Sequence, residues 1–119
     1  MDSFRQRSRR RTALVTRGEI WLCALDSTVG REIKKTRPCL IVSPDEMNRG
    51  LSTLIVAPLT SGSRLTRFRI PVRFRDGDGL ILPDQMRTID RARLVKNVGR
   101  VDAETLRATM EVLNEMFAV

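Results

Sequence analysis

The sequence predicts one mostly β domain, a small barrel or strongly bent sheet of antiparallel strands followed by a C-terminal α-helix. Short apolar runs recur along the 119-residue chain, residues typical of tight turns separate them, and one apolar stripe with helical spacing closes the sequence. A chain of this length is expected to form a single domain and to bury a core without disulfides or metal.

Three strands are predicted in the first half of the chain, each rich in apolar residues: 19–25 (EIWLCAL), 38–42 (PCLIV) and 53–57 (TLIVA). A polar loop at 26–36 joins the first two strands, with Gly30 as its turn residue. Between the second and third strands, residues 45–48 predict a short turn or helix that Gly50 ends.

Strict alternation of apolar and charged residues predicts a strand at 68–74. The apolar face of this strand consists of Phe68, Ile70, Val72 and Phe74. The opposite face consists of four arginines, Arg67, Arg69, Arg73 and Arg75. The sequence Asp-Gly-Asp-Gly at 76–79 predicts the turn that follows, and a further apolar strand is predicted at 80–82.

The last part of the chain predicts two short edge strands, at 88–89 and 97–101, and then a helix. Asp102 is the expected N-cap of the helix, with Glu104 in the first turn, where an acidic residue is favourable. Four apolar residues recur at helical spacing and form one stripe: Leu106, Met110, Leu113 and Phe117. The helix is expected to pack against the sheet or to join a dimer contact.

The net charge of +8 is compatible with a nucleic-acid partner, but the charge is distributed unevenly. Residues 1–17 hold six arginines and one aspartate, a net charge of +5, whereas the remaining residues hold sixteen basic and thirteen acidic side chains, a net charge of +3. We predict a disordered, Arg-rich arm at 1–16 and a folded domain at 17–119.

The chain contains no histidine, which excludes Ser-His-Asp and Cys-His mechanisms and a nuclease that uses two histidines. Cys23 and Cys39 lie in apolar runs and are expected to be small buried hydrophobes, so no metal site is predicted. No apolar run approaches the roughly 20 residues that span a bilayer, and no signal-peptide cleavage site follows the N-terminal arginines. We therefore expect a cytoplasmic protein without a membrane partner.

Five segments together resemble the MazF/PemK/Kid family of toxin–antitoxin endoribonucleases, the mRNA interferases. In order, they are RGEIW at 17–21, RPCLIVSP at 37–44, APLTS at 57–61, PDQMRTID at 83–90 and VGRV at 98–101. Each segment alone is a weak signal. In this order and spacing they are specific, and they cover residues 17–119.

The resemblance implies an SH3-like barrel that forms a homodimer and cleaves single-stranded RNA at short sequences. It also implies a MazE-like antitoxin whose extended segment occupies the RNA groove, so the implied function is the toxin of a type II toxin–antitoxin system. RNA cleavage without a metal ion uses the ribose 2′-OH as nucleophile, and it needs a base, a proton donor for the leaving 5′-oxygen and positive charge near the phosphorane. The expected products are a 2′,3′-cyclic phosphate and a 5′-hydroxyl, and no cofactor is expected.

Arg37 and Thr60 are the preferred catalytic pair. Arg37 begins a strand after the polar loop, its guanidinium suits bidentate phosphate binding, and the family's catalytic Arg-Pro matches Arg37-Pro38. The family's catalytic Thr matches Thr60, whose hydroxyl is suited to bind the scissile phosphate or to orient the 2′-OH. The residue types alone also allow a salt-bridged Arg37 and a Thr60 that caps the turn after it.

Asp84 is the third catalytic candidate. The resemblance implies a general base at this position in some members, whereas a structural Asp84 would anchor the bend at 83–90 by pairing with Arg87. The chain departs from the base-and-acid pattern at two positions. The Arg that such members carry two residues before the Asp is Leu82 here, and a His in the first loop is replaced by Arg31.

Seven further residues are candidate RNA contacts: Arg31, Glu32, Ser61, Gln85, Arg87, Arg67 and Arg69. The arginine face of the predicted strand 68–74 is either a solvated edge that discourages aggregation or a track for an RNA backbone. Aromatic residues make up only 4% of the chain, so base stacking is expected at Trp21 or Phe68 at most.

Two other functions remain open at this point. A CcdB-like toxin of the same fold class would bind DNA gyrase, although its Trp-containing C-terminal end is not matched by Glu-Met-Phe-Ala-Val here. A non-catalytic RNA-binding relative is compatible with Leu82. An assay of RNA cleavage by the purified protein in the presence of EDTA separates these functions from an endoribonuclease.

Overall fold

The computed structural model describes residues 15–25 and 35–119. It confirms a mostly β fold of antiparallel strands with a C-terminal helix. The strands are β1 (Glu19–Leu25), β2 (Lys35–Ile41), β3 (Thr53–Thr60), β4 (Ile70–Phe74), β5 (Gly77–Ile81), β6 (Arg87–Asp90) and β7 (Leu94–Arg100). The α-helices are α1 (Asp45–Gly50) and α2 (Ala103–Met116), and two short 3-10 helices occupy Pro83–Gln85 and Arg91–Arg93. The predictions for 1–14 and for most of the loop at 26–36 lie outside the described residues.

The strands pair in the order β4-β5-β3-β2-β1-β7, and β6 adds to β3. The sheet curls into a half-barrel, and β3 lies at its centre. The first half of β3 pairs with β6, its last two residues pair with β5, and its middle pairs with β2 on the other edge. Because all three neighbours restrain β3, the position of its final residue, Thr60, is well defined.

The curled sheet buries apolar side chains on both faces, which explains the continuous apolar runs in β2 and β3. Leu40 and Ala57 belong to a core cluster that α2 covers. Cys39, Ile41 and Val56 belong to a second cluster on the opposite face. A strand buried on both faces cannot show the alternating pattern of a half-exposed strand, and its residues are apolar throughout.

The folded domain begins earlier than the predicted boundary at residue 17. Val15 is only 1% exposed and packs in the second core cluster with Leu25 and Ile41. The Thr16 backbone N–H donates a hydrogen bond of 2.7 Å to the Glu19 carboxylate. Residues 15 and 16 therefore belong to the domain, because removing them would uncover part of its core.

The prediction of a strand at 68–74 with an arginine face is wrong about where the strand begins. β4 begins at Ile70, so Arg67 and Arg69 precede the strand and Arg75 follows it. Of the four arginines only Arg73 lies within β4, and no continuous arginine face forms. The local alternation continues through 67–69, but the chain there turns instead of extending, and Arg69 N donates to Thr66 O at 3.2 Å.

The turn after β4 also differs from the prediction at 76–79. Arg75 and Asp76 form a two-residue connection with φ values of 54° and 62°, and β5 begins at once with Gly77, opposite Phe74. Positive φ at both central residues is the signature of a type I′ hairpin turn, in which Asn, Asp or Gly is favoured. An arginine in this region is strained, at a typical cost of about 1 kcal/mol or more.

The C-terminal helix matches the prediction at its start but not at its end. The Asp102 side chain caps the helix by accepting a hydrogen bond of 2.7 Å from Thr105 N, and this interaction lowers the pKa of Asp102. Leu113 is buried, whereas Phe117 is 65% exposed and does not complete the apolar stripe. Among the described residues, no helix has the length and apolar character that a membrane crossing requires.

Candidate functional site

A cavity of about 270 Å³ lies between β2, the end of β3 and the β4–β5 hairpin. Three residues predicted from the sequence line it together: Arg37, Thr60 and Ser61. The other lining residues are Pro38, Leu59, Val72, Phe74, Arg75, Gly77, Asp78 and Gly79. The cavity thus combines an apolar floor with guanidinium and hydroxyl groups, a composition that suits a ligand with an anionic group and a flat apolar part.

Arg37 reaches the cavity from a strand that is paired on both edges. Its backbone lies opposite Cys23 of β1, and two residues later Cys39 lies opposite Pro58 of β3. The Arg37 side chain is exposed, and it carries five donors in a fixed fork that matches the oxygens of a phosphate. A guanidinium based on a rigid strand is held more accurately than one based on a loop.

Thr60 places its hydroxyl at the same cavity and is half-buried. Its Oγ1 accepts a hydrogen bond of 3.3 Å from Gly62 N, so the turn-capping role allowed by the sequence is present. The hydroxyl proton remains available to donate to a ligand oxygen. A Cβ atom at Gly79 would lie 2.9 Å from the Thr60 carbonyl oxygen, so the close approach of β3 and β5 requires glycine there.

Asp84 does not line this cavity. It lies in the first 3-10 helix, and its carboxylate accepts hydrogen bonds from Arg69 Nε at 3.2 Å and Arg69 Nη2 at 2.9 Å. The hydrogen bond to Asp84 raises the pKa of the Arg69 guanidinium. The expected pairing of Asp84 with Arg87 is therefore wrong. Leu82, which stands where some relatives carry Arg, is fully buried, and the cation at Asp84 comes instead from before β4.

The remaining sequence-predicted residues that the structure describes do not line the cavity. Gln85 is half-buried in the 3-10 helix, and Arg87 begins β6 opposite Val56. Arg67 forms an ion pair with Glu115 of α2 and stacks over the Phe68 ring at 5.0 Å. Two further candidates, Arg31 and Glu32, lie outside the described residues.

The two cysteines are buried and free, as expected for small hydrophobes. Hydrogen bonding with Cys23 and burial raise the pKa of the Cys39 thiol far above its ordinary value, so this thiol stays protonated. A protonated thiol is a poor nucleophile and metal ligand. Within residues 15–25 and 35–119, no three His, Cys, Asp or Glu side chains are grouped closely enough to hold a metal ion.

The β4–β5 hairpin was missed as part of the site. Phe74, Arg75 and Asp78 all line the cavity, and Arg75 lies 5.1 Å from the centroid of the Phe74 ring. The Asp-Gly at 76–77 favours a turn centred one residue later, whereas the observed two-residue turn at 75–76 aligns Phe74 with Gly77. That alignment, together with the pairing of Thr60 with Leu80, brings the hairpin beside Thr60.

Comparison with known sequences gives a consistent result. A family model described as the PemK-like, MazF-like toxin of type II toxin–antitoxin systems matches residues 16–117. Endoribonuclease PemK from Escherichia coli is 43% identical over 98 residues, which cover 77% of this chain and 74% of that protein. Endoribonuclease EndoA from Bacillus subtilis (strain 168) is 30% identical over 114 residues, which cover 89% of this chain and 97% of that protein.

Solved structures share the fold at lower sequence identity. MazF from Deinococcus radiodurans superimposes with a TM-score of 0.78 at 21% identity, covering 88% of this chain and 97% of that chain. An endoribonuclease in complex with its cognate antitoxin, from a mycobacterial species, superimposes with a TM-score of 0.73 at 23% identity, covering 88% of this chain and 96% of that chain. Similarity at this identity supports the architecture alone.

Proposed function

The chain belongs to the PemK-like, MazF-like toxins of type II toxin–antitoxin systems, and we propose that it cleaves single-stranded RNA at short sequence motifs, without a metal ion. The family expected from the five sequence segments is thereby confirmed. Like its relatives PemK, EndoA and MazF, it is an endoribonuclease. The substrate form, the selectivity and the mechanism are the proposed parts.

The observation that carries the proposal is the meeting of Arg37 and Thr60 in one cavity. The two residues come from different strands, and the motifs that contain them are separate in the sequence. Ser61 lines the same cavity and adds a second hydroxyl beside Thr60. A guanidinium and hydroxyl donors around one volume are the groups that a phosphodiester needs when negative charge builds up on its oxygens.

In the proposed reaction the ribose 2′-OH attacks the adjacent phosphorus and loses its proton to solvent water in the open cavity. The bond from phosphorus to the 5′-oxygen breaks, and that oxygen takes up a proton, leaving a 2′,3′-cyclic phosphate and a 5′-hydroxyl. Arg37 stabilises the charged phosphorane and is suited to orient the water that gives the leaving 5′-oxygen its proton. Thr60 binds the scissile phosphate or orients the 2′-OH.

The resemblance implies a general base at the position of Asp84 in some members, but we assign Asp84 a structural role instead. Both of its oxygens accept hydrogen bonds from Arg69, and it lies outside the cavity lining. Arg69 also donates to the Arg64 carbonyl oxygen at 3.1 Å, so the ion pair holds the segment between Thr60 and β4. Asp84 and Arg69 then fix the cavity's edge, and Gln85 and Arg87 contact RNA beyond it.

The proposed partners follow from the family. The active form is a homodimer whose interface carries the RNA groove, and a MazE-like antitoxin inhibits it by placing an extended segment in that groove. The mycobacterial structure with its cognate antitoxin supports such a partner for this fold. The site of action is the cytoplasm, where mRNA is available to the enzyme.

The decisive experiment is RNA cleavage by the purified full chain, with and without excess EDTA. Single-stranded RNA of mixed sequence should be cut at a few sites at equal rates in both conditions, and the products should carry cyclic phosphate and 5′-hydroxyl ends. Loss of cleavage in EDTA, or products with a 5′-phosphate, would rule out the mechanism. RNA binding without any cleavage would favour the non-catalytic relative.

A further inference from the structure

Arg75 presents a second guanidinium to the cavity of Arg37 and Thr60. Its backbone lies in the left-handed region, φ 54°, where a hairpin turn favours Gly, Asn or Asp. Its side chain is exposed and lies over the Phe74 ring at 5.1 Å. An arginine at this position carries a backbone strain that Gly, Asn or Asp would avoid, which points to a role for its side chain.

Arg75 differs in its ion pairing from the other three arginines at 67–75. Arg67, Arg69 and Arg73 pair with carboxylates, at Glu115, Asp84 and Asp78 respectively. In the part of the chain that the structure describes, no carboxylate lies within ion-pair distance of Arg75. Its guanidinium lies over the Phe74 ring, and a cation held by a ring face keeps its donors available at the ring's edge.

We propose that Arg75 binds the RNA phosphate next to the scissile one, with Phe74 as the residue that positions its guanidinium. This inference rests on the proposed function, because it assigns Arg37 to the scissile phosphate and leaves the neighbouring phosphate to Arg75. Leu59 and Val72 are buried apolar residues that line the same cavity, and the sugar or base of the intervening nucleotide packs against them.

Asp78 lines the same cavity and carries a negative charge that opposes a phosphate. Its carboxylate lies 3.4 Å from Arg73 Nη1, but both side chains are largely exposed, so solvent screens the charge of Asp78 and the ion pair contributes little. The phosphate is therefore expected on the Arg75 side of the hairpin. Asp78 is left to accept a hydrogen bond from a base amino group instead of approaching the backbone.

The test compares Arg75→Gly with Arg73→Gln in the full chain. Both variants remove one positive charge from the same hairpin, but only Arg75 lines the cavity. Glycine relieves the left-handed strain, so the hairpin of Arg75→Gly should be retained, and its melting temperature should not fall. Arg75→Asn gives the same comparison should the glycine variant fail to fold, and Arg75→Lys keeps the charge without the planar fork.

The binding probe is a mixed-sequence single-stranded RNA with every ribose 2′-O-methylated, so that no 2′-OH attack occurs. We expect Arg75→Gly to weaken binding about tenfold near 0.1 M salt and to lower the slope of log affinity against log salt by about one. Arg75→Lys should recover part of the affinity, and Arg73→Gln should stay within about twofold of the wild type. With unmodified RNA, KM should rise while kcat at saturation stays unchanged.

Equal affinity of Arg75→Gly and the wild type would overturn the inference, as would equal losses in Arg75→Gly and Arg73→Gln. A fall in kcat with unchanged affinity would also overturn it, because it would place Arg75 at the reacting phosphate. Wild-type protein that cuts no RNA would refute the proposed function, a result independent of the comparison between the two arginine variants.

Discussion

Gly79 of β5 lies so close to Thr60 of β3 that a Cβ atom at Gly79 would sit 2.9 Å from the Thr60 carbonyl oxygen. This carbonyl is part of the backbone and has no rotamer by which to move aside. The position of the Thr60 hydroxyl in the cavity therefore depends on the absence of a side chain at Gly79.

Gly79→Ala should reduce cleavage by displacing Thr60, and overpacking of this kind costs about 1–3 kcal/mol of folding stability. The matched control is Gly77→Ala in the same strand, where the added Cβ would meet Phe74 O at an ordinary 3.7 Å. Steady-state cleavage and thermal melting should be measured for both. If folded Gly79→Ala cleaves as fast as Gly77→Ala, Thr60 does not depend on this contact.

Arg37→Ala should abolish cleavage and leave the fold intact, because the side chain is exposed and its role is to stabilise the phosphorane. Loss of such a donor typically raises the barrier by about 3 kcal/mol or more, at least a hundredfold in rate. Arg107→Ala, at an exposed position of α2, removes the same charge away from the cavity and is the control. Single-turnover rates that match the control in a folded Arg37→Ala protein would remove Arg37 from the mechanism.

Asp84→Asn separates the anchoring role from the general-base role. As an anchor, Asp84 loses an ion pair with partly exposed partners, so stability should fall by about 1 kcal/mol or less. Cleavage should fall only modestly, and Arg69→Gln should produce the same modest loss. A general base would behave differently: Asp84→Asn alone would lower the rate by about a hundredfold or more, with Arg69→Gln far less affected.

The protein should be a homodimer at micromolar concentration. Leu65, Phe68 and Phe117 are exposed and offer apolar surface that a dimer contact would cover. Light scattering should therefore give twice the chain mass of 13.6 kDa. A mass that stays at 13.6 kDa across this concentration range would contradict the prediction.

Deleting residues 1–12 should weaken RNA binding and flatten its salt dependence without moving the cleavage sites. This segment carries five arginines, which release counterions from RNA but read no bases. The deletion must stop before Val15, because that side chain is buried in the core. Cleavage maps of both chains at low and high salt test this prediction. A shift of the sites would mean that the arm reads sequence.

Predictions of secondary structure were correct where the sequence signal acts over a few neighbouring residues, and wrong where distant contacts decide the structure. The strand 19–25 and the cap at Asp102 were predicted correctly, because bulky apolar residues and an Asp before a helix act over a few residues. The start of β4 was predicted wrongly because the chain turns before it, with Arg69 N donating to Thr66 O, and Arg67 and Arg69 form ion pairs with partners distant in sequence. A local alternation carries no information about such contacts.

The residues of the candidate site were also predicted only in part. Arg37, Thr60 and Ser61 were predicted through motif resemblance, and the structure brings them together. Arg75 was placed on a strand face instead, because both Asp-Gly pairs at 76–79 favour a turn that begins after Arg75. The pairing of Ile70 with Ile81, which are both buried, instead makes Arg75 and Asp76 the two turn residues.

The two-residue turn at Arg75 and Asp76 makes the domain less tolerant of insertions than of substitutions. Phe74 pairs with Gly77 without any slack, and side chains along a strand alternate between faces. One residue inserted into this turn would shift β5 by one place, turning Ile81 out of the core and moving Gly79 away from Thr60. Natural variation at this end of the cavity is therefore expected to exchange side chains at constant length, or to change the length by two residues.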